Sequence, residues 1–66
     1  MPQIHVTVLR GRSREQIADL GAELTAATVR ALGVPAEAVK VVVTEAEPEH
    51  WFVGGESMAR RRAEGR

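Results

Sequence analysis

Apolar and polar residues alternate along the first part of the chain. Residues 3–9 read QIHVTVL and are rich in β-branched types, and this two-residue period predicts a strand. Gly11 breaks the pattern. The alternation assigns Pro2, Ile4, Val6 and Val8 to one face of the strand, and Gln3, His5, Thr7 and Leu9 to the other.

From residue 13 the period lengthens to three or four residues, which predicts an amphipathic helix. Ser13 is a favourable N-cap, and Gln16, three residues later, completes a capping box. Gly33 occupies the position of a helix C′ glycine, and Pro35 prevents the helix from continuing. The small and apolar positions of this helix are Ile17, Leu20, Gly21, Leu24, Ala27, Thr28, Ala31 and Leu32.

A second strand is predicted over residues 38–45, AVKVVVTE, because this segment is nearly continuous in valine. Such a run is typical of a parallel strand that is buried on both faces. Two parallel strands joined through a helix predict one right-handed β-α-β unit over residues 3–45. Because one helix covers only one face of a two-stranded sheet, we expect another subunit to cover the other face.

The C-terminal part of the chain predicts a short hairpin that follows a polar loop at 45–50. Residues 50–59, HWFVGGESMA, form two short runs around Gly54-Gly55. An isolated hairpin is unstable, so we expect it to dock on a neighbour. The basic end, RRRAEGR, is expected to fray, above all over 63–66. The chain is therefore predicted to be a single α/β (α+β) domain over 1–66.

The composition favours an oligomer. A chain of 66 residues buries only about 60% of the surface that its unfolded form exposes. It has no cysteine and only two histidines, far apart in sequence, so disulfides are excluded and a metal site is not expected. Oligomerisation is the remaining source of stability. The net charge of zero and the lack of a long apolar run favour a cytoplasmic protein with no nucleic-acid or membrane partner.

Pro2, directly behind the initiator methionine, has two interpretations. Proline is tolerated at the first residue of a strand, where no ladder hydrogen bond is needed. If Met1 is removed, however, Pro2 becomes a free secondary amine that can act as a general base. An apolar pocket and nearby cations would then be needed to keep the amine neutral near physiological pH.

Four cations could serve that amine or bind an anion: Arg10, Arg12, Arg14 and Lys40. Charges near a helix start are usually solvated, and Arg10 and Arg14 fit that interpretation. Arg12, beside Gly11 at the end of the first strand, is better placed to line a cleft. Lys40 lies in an otherwise apolar strand, where it must reach an edge, a partner subunit or an anion.

The chain has two aromatic residues, Trp51 and Phe52, adjacent and just before the hairpin turn. They can pack in a core or interface, or they can form pocket walls that exclude water. His5 and His50 lack a partner at metal-ligand spacing, and we interpret both as structural or surface residues.

Three segments together resemble the 4-oxalocrotonate tautomerase family, the small members of the tautomerase superfamily. PQIHVTVLRGRSREQ is similar to the family's N-terminal proline, first strand and G-R-S before the helix. VKVVVTE is similar to its second strand, and HWFVGGES to its aromatic-plus-glycine hairpin. The resemblance covers roughly residues 2–62.

The resemblance implies a β-α-β protomer with a C-terminal hairpin, assembled as a homohexamer that is a trimer of dimers. It implies a cofactor-independent tautomerase that moves a proton on a small enol or 2-oxo acid, such as 2-hydroxymuconate. Pro2 would be the general base, Arg12 would bind a substrate carboxylate, and Lys40 would stabilise the oxyanion. The implied pocket walls are Leu9, Trp51 and Val53.

One implied site residue departs from the family, because Lys40 stands where the family has a second arginine. Lysine keeps the charge but lacks the planar fork that binds a carboxylate through two hydrogen bonds. We therefore expect this protein to be less active towards 2-oxo diacids than the family's type enzyme, and to use a different planar enol as its substrate. Trp51 stands where the family usually has phenylalanine, and this change reshapes the pocket, which also favours a different substrate.

Three alternatives to tautomerisation fit part of the sequence. Superfamily dehalogenases and hydratases place an acid on the hairpin to activate water, whereas Glu56 lies beyond the turn here. A non-catalytic oligomeric module would use Pro2 only to begin a strand. Nucleic-acid binding would use the basic C-terminal end, although that end lacks interleaved aromatic residues.

Overall fold

The fold is α/β (α+β), as predicted: a parallel β-α-β unit followed by an antiparallel hairpin. The structure, a computed structural model, describes residues 1–65. The strands and helices are β1 (Gln3–Leu9), α1 (Arg14–Leu32), β2 (Lys40–Ala46), β3 (Phe52–Val53), β4 (Glu56–Ser57) and α2 (Met58–Ala63). Short 3-10 turns precede β2 (Ala36–Ala38) and β3 (Pro48–His50).

Strands β1 and β2 pair in parallel over seven residues each, from Gln3 opposite Lys40 to Leu9 opposite Ala46. The predicted β-α-β unit is therefore confirmed. The second strand begins two residues later than predicted, because Ala36–Ala38 forms the 3-10 turn. Lys40 is thus the first residue of β2 rather than an interior one, and it is exposed. A charge at this edge needs no buried partner.

Helix α1 begins and ends where its capping residues predict. The Ser13 hydroxyl accepts a hydrogen bond from the Gln16 backbone N–H at 3.1 Å. The Gln16 side-chain oxygen accepts one from the Ser13 N–H at 2.9 Å. At the other end Gly33 adopts φ 66°, a left-handed conformation that glycine adopts at little cost. These caps fix the residue from which α1 begins, directly after Arg12.

One face of the two-stranded sheet is open in the single chain. Ile4, Val6 and Val8 are half-buried, as the alternation predicts, and α1 packs against β2. On the opposite face Val42 is 45% exposed, and the His5 ring lies 3.4 Å from the Thr44 hydroxyl. The valine run is therefore not buried on both faces within one chain. The apolar side chains on the face opposite α1 leave water only if another protein surface covers them.

The C-terminal part forms the predicted hairpin, which is followed by a short helix. Gly54 and Gly55 adopt φ 62° and 85° between β3 and β4, as the two central residues of a tight hairpin turn require. Ser57 caps α2, whose last residue is Ala63. This helix was not predicted from the sequence, and Ala63 is both its last residue and the first of those predicted to fray. Of the end predicted to fray over 63–66, Arg66 lies outside the described residues.

The chain is elongated. Its radius of gyration is 15.1 Å, with extents of 45 × 24 × 15 Å, whereas a compact chain of this length has a radius of gyration of about 11 Å. Phe52 and Leu32 are each 60% exposed. None of the helices formed by residues 1–65 is long and apolar enough to cross a membrane. The shape is that of a subunit with apolar surface left to cover.

Candidate active site

Pro2 and Lys40 lie side by side at the edge of the sheet where both strands begin. The Lys40 backbone N–H donates a hydrogen bond to the Pro2 carbonyl at 3.1 Å. Pro2 is half-buried, whereas Met1 is 87% exposed. The contact depends on the backbone of residue 2, so it persists whichever side chain occupies that position. The fold therefore holds the start of β1 while the segment before it projects into solvent.

Arg12 lies at the opposite end of the sheet. Its guanidinium lies 3.5 Å from the Leu9 carbonyl, to which Nη1 donates. Gln3 and Leu9 are the two ends of β1, and six residue steps of a strand span about 20 Å. An arginine side chain is far too short to cross that distance. A single chain therefore does not bring Arg12 to Pro2, and Leu9 lies at the Arg12 end as well.

The other two candidate arginines differ from Arg12 in their surroundings. Arg10 forms a hydrogen-bonded ion pair with Glu47, Nε to Oε1. Arg14 is the exposed first residue of α1. Within residues 1–65 the Arg12 guanidinium contacts a carbonyl and no carboxylate. Of these three cations, Arg12 is therefore the one that combines a fixed loop position with a charge left for a ligand.

Trp51 lies at the base of the hairpin, between the 3-10 turn and β3. It is half-buried, and its carbonyl accepts a hydrogen bond from the Met58 N–H at 2.8 Å. Its neighbours Phe52 and Val53 are 60% and 46% exposed. The hairpin, the turn before it and α2 pack mainly on one another. The segment therefore presents its aromatic and apolar side chains away from its own chain.

Glu56, the acid that follows the hairpin turn, forms ion pairs with α2. Glu56 lies 3.8 Å from Arg60 and 3.5 Å from Arg61, and Arg60 lies 3.2 Å from Glu64. Glu56 is therefore occupied by ion pairs with α2, and this arrangement gives no support to the water-activating role that dehalogenase or hydratase chemistry needs. The same pairs neutralise two arginines of the basic end, which disfavours binding of a polyanion there.

Sequence reasoning missed one residue of this region. Glu47 lies in the segment interpreted only as a polar loop, yet it pairs with Arg10 across the ends of the two strands. No sequence signal could have found it, because the pairing depends on the parallel register, which puts Leu9 opposite Ala46. The residues that follow, 10 and 47, must then be neighbours, and they carry opposite charges.

Comparison with known proteins gives consistent matches. Residues 2–61 match the family model described as tautomerase enzyme. The chain is 46% identical over 55 residues to a probable tautomerase of Ralstonia nicotianae, covering 83% of this chain and 79% of the relative.

Two solved structures are also similar. TomN, a 4-oxalocrotonate tautomerase homologue in the tomaymycin biosynthetic pathway, is 58% identical with a TM-score of 0.92, covering 94% of this chain and 95% of that one. A heterohexamer 4-oxalocrotonate tautomerase from Chloroflexus aurantiacus is 46% identical with a TM-score of 0.85, covering 89% and 95%.

Proposed function

This chain belongs to the tautomerase family, and we propose that it is a cofactor-independent isomerase that moves a proton between oxygen and carbon of a small enol acid. One observation carries the proposal: the family match begins at Pro2, the residue that the sheet holds at its edge beside Lys40. Removal of Met1 would leave the Pro2 nitrogen as a secondary amine at that edge.

The proposed reaction is a 1,3- or 1,5-proton shift. The neutral Pro2 amine takes the proton of the 2-hydroxyl group, and the O–H electron pair becomes part of the new carbonyl. The double bonds shift, and carbon C3 or C5 takes the proton back from the Pro2 ammonium. The amine ends neutral and the atoms balance, so the reaction needs no oxidant, reductant or cofactor.

The other residues have separate roles in this proposal. Arg12 holds a substrate carboxylate, because a guanidinium forms two parallel hydrogen bonds with that group. Lys40 stabilises the oxyanion, as a charge fixed where negative charge develops. Trp51, Leu9 and Val53 form apolar walls that keep water from the enol. All five side chains are partly or fully exposed in the single chain, which supports completion of the walls by other subunits.

We further propose that the active unit is a homohexamer, a trimer of dimers. The span of β1 between Pro2 and Arg12 supports a site shared between subunits. The open sheet face and the exposed hairpin supply apolar surface for the contacts. The Chloroflexus relative, which is 46% identical, is itself a heterohexamer.

The proposal is tested by an ultraviolet assay of enol ketonisation with the protein from its native host. We expect an intact mass that lacks Met1 and measurable turnover of 2-hydroxymuconate or a simpler enol acid. Full retention of Met1 together with no turnover of any enol acid would contradict the proposal. That outcome would favour a non-catalytic oligomeric module with the same fold.

Lys40→Arg is expected to raise kcat/KM for acids whose carboxylate lies beside the enol oxygen. Arginine restores the planar fork, so this carboxylate gains two hydrogen bonds in place of one point-charge contact. Both 2-hydroxymuconate and 2-hydroxypenta-2,4-dienoate carry it, and kcat/KM should rise about fivefold for each, consistent with one stronger charge-assisted bond. An unchanged kcat/KM for both substrates would mean that residue 40 does not contact this carboxylate.

A further inference from the structure

The Arg10–Glu47 ion pair joins the carboxyl ends of β1 and β2, where the Arg12 loop and the hairpin segment begin. The Arg10 backbone N–H donates to the Ala46 carbonyl at 2.9 Å, and its Nε donates to the Glu47 carboxylate. The backbone and side chain of one residue therefore hold both strand ends. Thirty-seven positions separate the paired residues in sequence.

On one side, the pair fixes the start of the loop that carries Arg12. Residue 10 is held by β2, and residue 13 is held by the capping box of α1. Only Gly11 and Arg12 lie between these two fixed points. Gly11 adopts φ 136°, a conformation that residues with a Cβ rarely adopt. The position of Arg12 therefore depends on two anchors, and the ion pair belongs to one of them.

On the other side, the pair fixes the base of the segment that carries Trp51. Glu47 directly precedes the 3-10 turn Pro48–His50, and its carbonyl accepts from the His50 N–H at 2.8 Å. Its side chain makes no capping hydrogen bond to that turn, so the carboxylate is directed to Arg10. Trp51 follows at once.

We infer that the Arg10–Glu47 pair is a positioning clamp, which sets the carboxylate-binding Arg12 loop of each subunit relative to the Trp51 segment of the same subunit. The inference rests on the proposed function for the roles of Arg12 and Trp51. Neither Arg10 nor Glu47 touches substrate in this scheme. Both act by holding backbone that carries a substrate-binding side chain.

A purely electrostatic role predicts a different result. The direction in which each substitution changes KM distinguishes it from the clamp. If Arg10 and Glu47 only changed the local potential, Arg10→Ala would weaken binding of an anionic substrate and Glu47→Ala would strengthen it. A clamp is broken equally by either change, so both substitutions should raise KM. Because the pair is half-exposed, at 57% and 44% for the two side chains, we expect a rise of about two- to fivefold.

Trp51 gives a readout that does not require activity, since it is the only tryptophan in the chain. Acrylamide quenching of its fluorescence should increase in Arg10→Ala and in Glu47→Ala, with no further increase in the double variant. The exchanged pair, Arg10→Glu with Glu47→Arg, should restore quenching towards the wild-type value. Arg14→Ala and Glu49→Ala remove one charge each nearby and should leave quenching unchanged, and sedimentation should show the same assembly in every variant.

The quenching and kinetic results together decide the inference. Unchanged quenching in both single variants, or effects that simply add in the double variant, would overturn the clamp. Opposite changes in KM would overturn it in favour of electrostatics. If the wild type turns over no enol acid, the proposed function fails, while the quenching series still tests the coupling between Arg10, Glu47 and Trp51.

Discussion

Pro2→Ala is expected to lower kcat/KM for enol ketonisation by roughly 100-fold, at the lower end of what a positioned general base contributes. Alanine is small enough for Met1 still to be removed, so the variant keeps an N-terminal amine. That amine is primary, more flexible, and different in basicity from the proline amine. Steady-state kinetics on 2-hydroxymuconate, with the intact mass of each preparation, measure the effect.

The Pro2→Ala substitution is not expected to change the backbone structure at the start of β1. The hydrogen bond between residue 2 and Lys40 uses a backbone carbonyl, so the substitution leaves it in place. Gln3→Ala is the matched control: it truncates the next residue, which is exposed, and it should keep activity within about twofold, as for most surface substitutions. Near-wild-type ketonisation by Pro2→Ala would show that the proline is only a strand-initiating residue.

Much of the fold follows from short-range patterns. The alternation in residues 3–9 predicts β1, and the Ser13–Gln16 capping box with Gly33 predicts both ends of α1, as observed. Each of these signals lies within one turn or one strand, where local geometry decides the conformation. Helix α2 was not predicted, although its signals are equally local. This helix is stabilised by Ser57 at its start and by Glu56 and Glu64 around Arg60, and a tail interpreted from composition alone omits these pairs.

The candidate site was less predictable, because its geometry depends on register. The parallel pairing from Gln3–Lys40 to Leu9–Ala46 puts Lys40 beside Pro2 and sends Arg12 to the far end of the sheet. Neither placement can be read from a run of valines. The same register explains the missed Glu47, whose partner Arg10 is distant in sequence but adjacent at the strand ends.

Arg12→Ala is expected to raise KM for a carboxylate substrate and to lower kcat/KM by about 10- to 100-fold, the value of a lost hydrogen bond between charged groups. The contact removed within the chain is a long one, 3.5 Å to the Leu9 carbonyl, so stability should change little. Thermal unfolding checks that expectation. Arg12→Lys should recover only part of the loss, because it restores the charge but not the fork.

Mixing the two weakened variants, Pro2→Ala and Arg12→Ala, tests whether the site is shared between subunits. If Pro2 of one subunit works with Arg12 of a neighbour, Pro2→Ala and Arg12→Ala subunits that are unfolded together and reassembled will regenerate intact sites. With random assortment, about one quarter of the sites in the closed oligomer combine a wild-type Pro2 with a wild-type Arg12. Activity should therefore rise from the level of the variants to about a quarter of the wild-type value.

If Pro2 and Arg12 of the same chain served one site, every site in the mixture would contain one substituted residue. Activity would then stay at the level of the separate variants. The geometry of one chain favours regeneration, because about 20 Å of strand separates the Lys40 edge of the sheet from the Leu9 carbonyl that holds Arg12. Reassembly of each variant with wild-type subunits controls for losses during refolding. Failure of the mixture to regain activity, with that control intact, would contradict a shared site.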